Sequence, residues 1–178
     1  GENGRGEFTR SGSGALDCNL KLRLGNPGGT GIVNLNSGTA AVPGIEQTGG
    51  SGYVNFNGAT VRAKLSTISF MSGMTEAVVY SGNAILDTAG FDVNVAQALL
   101  APFGDGVQSV PITDGGAGYM APPIVQIDSS GYGSGATAVA LIDPVAGTVT
   151  NIVVTGSGYG YGVVPNVTLI GGGASIPA

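Results

Sequence analysis

The chain has 178 residues, 34 of them glycine, with 42% apolar and only 10% charged side chains; it is long enough for one domain or two small ones, and too apolar for a disordered chain. It carries no histidine and a single cysteine, which excludes Ser-His-Asp and Cys-His nucleophiles, an internal disulfide and the common zinc arrangements. All six basic residues lie in the first 64 positions beside four acids, and from Leu65 onward there are seven acids and no base. A +2 beginning and a −7 remainder leave no basic face for nucleic acid, and no run of 18 apolar residues offers a transmembrane helix.

Residues 1–14 are polar and glycine-rich and read as a flexible arm. Residues 16–24, LDCNLKLRL, alternate strictly, which predicts one strand with Leu16, Cys18, Leu20, Leu22 and Leu24 facing a core. Asp17, Asn19, Lys21 and Arg23 then face water or a partner. On that face Cys18 is a small hydrophobe, with no imidazole to activate it.

A short repeat follows. Residues 31–42 (GIVNLNSGTAAV) match residues 52–63 (GYVNFNGATVRA) at an offset of 21, and residues 78–86 form a looser third copy at 24. Strand, Asn/Gly turn and strand at this spacing predict rungs of a parallel β-solenoid, each of which buries its apolar residues only by stacking on its neighbours. Asn36 and Asn57 then lie above one another at a turn, within reach for their amides to pair. The nearest approach to a helix, residues 94–101, ends at Pro102. The fold class is all-β.

The longest repeat is residues 107–127, VQSVPITDGGAGYMAPPIVQI, which returns without a gap 42 positions later as VTNIVVTGSGYGYGVVPNVTL. Each copy reads as a strand, a Gly-rich turn ending in tyrosine (Tyr119, Tyr161), a corner marked by proline (Pro123, Pro165) and a second strand. The tyrosines are expected to pack the corners. Because 42 is twice 21, both halves are expected to share one rung spacing. The second copy stops early: nothing after Leu169 answers the apolar strand at residues 136–142. Three parts follow: residues 1–30, an arm with its amphipathic strand; 31–106, solenoid-like rungs; and 107–178, a duplicated β module.

The stretches NLNSGTAAV, YVNFNGATVRA and VVYSGNAILDTAGFDV resemble the autotransporter-associated β-strand repeat proteins, long secreted bacterial surface chains with β-helical passenger regions. The C-terminal GAGYMAPPIVQI and GYGYGVVPNVTL resemble tandem Gly-Tyr-x-x-x-Pro modules. Together these resemblances cover residues 30–178 and imply surface display and structural or adhesive use. They bring no catalytic residues. The chain is short beside that family and lacks its long repeat array and C-terminal membrane barrel.

Few combinations of residues here carry chemistry. Glycoside chemistry needs two carboxylates about 5–9 Å apart, for which Asp87 with Asp92, or Asp105 with Asp114, are the candidates. The absence of tryptophan weighs against a sugar platform. The glycines of residues 131–135 and 156–162 lack the G-x-G-x-x-G spacing and a following helix, so they are turn glycines rather than a phosphate loop. No spaced acidic loop supplies the six to eight oxygens calcium needs. Asn166-Val167-Thr168 is a glycosylation triplet set in a predicted strand. The expectation is therefore an extracellular, non-enzymatic structural protein without cofactor or metal. Its expected partner is itself, in a head-to-tail homopolymer built by strand addition from residues 16–24, with surface glycans as a further partner class. The rivals are a carbohydrate-binding or carbohydrate-cleaving β-helix and a fragment of a larger adhesin passenger.

Overall fold

In the computed structural model, which describes residues 4–128 and 131–178, the chain is all-β, with no helix among the described residues. It divides into two compact units, Gly1–Pro102 and Phe103–Ala178.

The first unit is a β-solenoid of four rungs, each contributing one strand to each of three parallel sheets. The first sheet stacks β1 (Arg5–Arg10), β4 (Thr30–Leu35), β7 (Ser51–Phe56) and β10 (Glu76–Val79). The second stacks β2 (Ala15–Asp17), β5 (Thr39–Val42), β8 (Thr60–Ala63) and β11 (Ile85–Asp87). The third stacks β3 (Leu22–Leu24), β6 (Ile45–Gln47), β9 (Thr67–Ser72) and β12 (Val93–Val95). Parallel in-register stacking sets like on like. Leu35, Phe56 and Val79 form one column, Leu16, Ala40, Val61 and Leu86 a second, and Leu22, Ile45, Met71 and Val95 a third. The 21-residue match falls into this register: Gly31 pairs Gly52, Asn34 pairs Asn55 and Thr39 pairs Thr60. Glycine is needed where rungs touch at the corners. A Cβ on Gly50 would run into the carbonyl oxygen of Gly29 one rung earlier.

Three expectations are corrected. Residues 16–24 are not one strand but β2 and β3 joined by a four-residue corner, residues 18–21, at whose tip Leu20 is 80% exposed. An even number of corner residues preserves the alternation, so two strands imitate one. Leu16, Cys18 and Leu22 still pack against the core, and Leu24 is buried within it. The arm is not an arm from Arg5 on: β1 pairs with β4 along its whole length. Its side chains are mostly exposed, so it left no apolar pattern to read; residues 1–3 of that arm lie outside the described residues. Finally, the 42-residue repeat is not a pair of rungs.

The second unit is instead an antiparallel sheet of β13 (Ile124–Asp128), β14 (Ser134–Asp143), β15 (Thr148–Tyr159) and β16 (Asn166–Ile170), in the order β15-β14-β13-β16. In the β13–β16 pair, Val125 faces Leu169, Gln126 faces Thr168 and Ile127 faces Val167. Positions 42 apart in sequence thus meet at Gln126 and Thr168, which makes the pairing two-fold symmetric. The symmetry extends outward. Val107 N–H donates to Ser157 O and Val149 N–H to Gly115 O, both at 2.8 Å. The Ala117–Ile176 bridge mirrors the Ser134–Tyr159 pair.

Candidate assembly surfaces

At the N-terminal end of the solenoid β1, β2 and β3 are each the last strand of their sheet. Cys18 N–H donates to Ala41 O, and Leu22 N–H to Gly44 O, both at 2.9 Å. The alternate residues Asp17 and Arg23 therefore turn their N–H groups away from the stack. An open cleft of about 420 Å³ lies at this end, with Arg5, Glu7, Phe8, Arg23 and Leu24 among its walls.

Asp17, Lys21 and Arg23 of this first rung pair with charged side chains of later rungs. Lys21 Nζ and Arg23 Nε hold the two oxygens of Glu46 at 2.8 and 2.9 Å. The Lys21 hydrogen bond, then that of Arg23, keeps the Glu46 carboxyl below its ordinary pKa. Lys64 reaches back from the third rung to Asp17, and to Asn19 Oδ1 at 2.8 Å. Buried Arg10 caps the carbonyls of Ser11 and Gly14. Arg62 pairs with Asp87 at 3.3 Å. These pairings consume much of the N-terminal positive charge, so charge complementarity is a weak guide to how subunits meet.

Sequence reasoning missed the polar ladder inside the first sheet. Asn55 Nδ2 donates to Asn34 Oδ1 at 2.8 Å, and Asn34 Nδ2 donates to Thr9 Oγ1 at 3.1 Å and Glu7 Oε1 at 3.2 Å. Both asparagines are buried. The signal was available, because each Asn sits between apolar residues and the two coincide at an offset of 21. At the turn, Asn57 Oδ1 accepts the Gly82 N–H at 3.0 Å. A second corner depends on Gln47, whose Oε1 accepts the N–H groups of Gly52 and Thr75 at 2.9 and 2.8 Å. Glu76 is the misfit: one carboxyl oxygen is buried with no hydrogen-bond partner among the described residues, and burial pushes its pKa up.

The repeat corners are built as packing elements. Tyr119 and Tyr161 are buried in the core of the second unit. Tyr161 Oη accepts the Ala136 N–H at 3.3 Å, and Tyr119 Oη accepts the Ala178 N–H at 3.0 Å. Pro123 is buried and Pro165 half-buried, each just before the strand it introduces, β13 and β16.

Of the four candidate catalytic acids, Asp87 and Asp114 hold turns through their carboxylates. Asp87 accepts the Ala89 N–H at 2.8 Å besides its contact with Arg62, and Asp114 accepts the Gly116 N–H at 2.9 Å. Asp92 and Asp105 enter backbone bonds through their carbonyls, to Thr67 and Tyr161. Asp143 accepts the N–H groups of Ala146 and Val145, which hold its carboxyl below the usual range. Gly131, Gly133, Gly135, Gly158 and Gly160 have positive φ, as turn glycines do. No group of His, Cys, Asp and Glu among the described residues is arranged to hold a metal ion.

No family model matches the chain, and neither a curated protein nor a solved structure matches it.

Proposed function

We propose that the protein is an extracellular structural subunit that assembles end to end into a surface fibre and performs no catalysis. The observation that carries this reading is the open rung of β1, β2 and β3, three strand edges that each end their sheet on the same side of the stack. Unpaired edges of this kind template further pairing, and soluble proteins normally blunt them with outward charge, proline or a covering element. A solenoid extended by a second copy keeps the parallel register of its columns, and such head-to-tail contacts grow filaments when the rotation does not close. The resemblance to autotransporter-associated repeats supports display at a cell surface.

This differs from donation of a free N-terminal strand, because residues 5–24 already form the first rung. The rung is instead an acceptor edge. The test is negative-stain electron microscopy of the full chain beside Asp17→Pro and Arg23→Pro, which remove outward N–H groups and keep the inward ladder. Filaments from the parent chain that shorten or vanish in both folded variants support the reading. Filaments of unchanged length in both would refute it.

A further inference from the structure

We infer that Lys64, Asn19 and Asp17 form a self-modification site: the Lys64 amine displaces ammonia from the Asn19 carboxamide and leaves an isopeptide bond between the third and first rungs. The inference does not rest on the fibre reading, since the bond forms within one chain.

The stacking brings the three side chains together. Asp17 closes β2 and Asn19 stands in the corner after it, whereas Lys64 follows β8 in the corresponding corner two rungs on. Asp17, Ala41 and Arg62 form one column, so the first and third rungs lie two strand spacings apart there, about 10 Å. The second rung leaves this corner clear. β5 and β6 are joined by Pro43 and Gly44 alone, both buried, and neither has a side chain that makes hydrogen bonds. Lys64 spans the gap with its side chain only 25% exposed, and its Nζ ends on Asn19 Oδ1 at 2.8 Å and on Asp17 Oδ1.

That contact puts the electrophile within reach. A carbonyl carbon lies about 1.2 Å beyond its oxygen, so Asn19 Cγ is no more than about 4 Å from Nζ, close to the roughly 3–3.5 Å of a near-attack arrangement. The chain's other lysine has no such neighbour. Lys21 Nζ meets the carboxylate of Glu46, and an ionised carboxylate resists a nucleophile that a neutral carboxamide accepts.

The step balances without a further reagent, and nothing is oxidised or reduced. Asp17, in contact with Nζ, takes a proton from the Lys64 ammonium as general base. The freed lone pair adds to Asn19 Cγ, and the tetrahedral carbon then breaks its bond to Nδ2. Two protons from Nζ, one of them by way of Asp17, join the departing NH2 group, which leaves as ammonium. Asp17 is 70% exposed, so it shares that proton with water and the bond forms slowly after folding. Once formed, it closes a ring over the 45 positions from Asn19 to Lys64 and encloses the whole second rung.

The test is the intact mass of the folded full chain kept for several days at about pH 9, where more of a lysine amine is unprotonated than at neutral pH. The parent should lose about 17 Da, the mass of ammonia, and proteolysis should yield a branched peptide joining Asn19 to Lys64. Lys64→Arg keeps the charge but removes the nucleophile, so it should hold the full mass, as should Asn19→Ala and the parent unfolded in urea. Asp17→Asn should slow the loss by about tenfold or more. Three results would overturn the inference. The first is full mass retained by the folded parent. The second is a loss of the same size in Lys64→Arg, meaning that an asparagine such as Asn57 before Gly58 has closed on its own backbone. The third is a branch at Asp17 with loss of water, meaning that the carboxylate and not the carboxamide is the acceptor.

Discussion

Replacing Asn55 with alanine should destabilise the solenoid far more than a polar-to-alanine change usually does. Asn55 Nδ2 lies 2.8 Å from Asn34 Oδ1, and the two residues are 3% and 0% exposed. Water cannot take the place of the lost donor, so Asn34 keeps a desolvated, under-satisfied oxygen at a cost of about 1–3 kcal/mol. The volume vacated between two closely stacked rungs adds roughly 1 kcal/mol. A total of about 2–4 kcal/mol is a large share of the 5–15 kcal/mol typical of a domain. It would lower the melting temperature by roughly 10–25 °C at about 4–8 °C per kcal/mol for a unit near this size. Urea unfolding of Asn55→Ala, Asn34→Ala and the double variant, followed by circular dichroism, closes a double-mutant cycle. The coupling energy should reach about 1 kcal/mol, because the second substitution removes the stranded partner. Hydrogen exchange over β4 and β7 would place the loss at the interface of the second and third rungs, as nearest-neighbour stacking requires. Single losses below about 0.5 kcal/mol with no coupling would refute the ladder as a stabilising element.

Glu76→Gln should raise stability at pH 7. Burial raises the pKa of Glu76 in the folded state, so the folded protein binds the proton more tightly and loses stability as pH rises from the ordinary glutamate value of about 4.3 through the raised one; the gain should fade in urea titrations below about pH 4. Glu46→Gln should act in the opposite sense. Lys21 and Arg23 lower the pKa of Glu46, so its contribution is complete above about pH 4.3 and lost as pH falls through the folded value; parent and variant should converge in acid. Leu20→Ser should leave the unfolding midpoint within about 0.5 kcal/mol of the parent, because Leu20 is 80% exposed, whereas Leu22→Ala, against the core, should cost about 1–2 kcal/mol.

The solenoid was legible where rungs have equal length. Residues 31–42 and 52–63 align at 21 and stack in that register. Elsewhere the corners vary: Arg5 pairs with Thr30, 25 positions on, and Glu76 with Tyr53, 23 back. Insertions at corners leave the stacking intact but erase the sequence period, which is why β1 read as an arm. Alternation over residues 16–24 identified four inward residues correctly and misplaced Leu20, since side-chain parity cannot reveal a bend that preserves it. The 42-residue repeat was legible as a duplication, but its symmetry was not. Whether two copies stack in parallel or meet antiparallel depends on which edges pair, and only the register of β13 on β16 settles that. The Asn34–Asn55 ladder was written in the aligned repeat, where each of these asparagines stands between apolar residues on a strand, whereas Asn36 and Asn57 stand at the turn that follows.

Sedimentation velocity of the full chain over a thousandfold range of concentration tests end-to-end assembly most directly. Open-ended growth through the edges of β1, β2 and β3 should give a weight-average sedimentation coefficient that climbs without a plateau, and Arg23→Pro should hold it at the monomer value. A single monomeric boundary at every concentration, or a plateau at a closed dimer unaffected by Arg23→Pro, would contradict it.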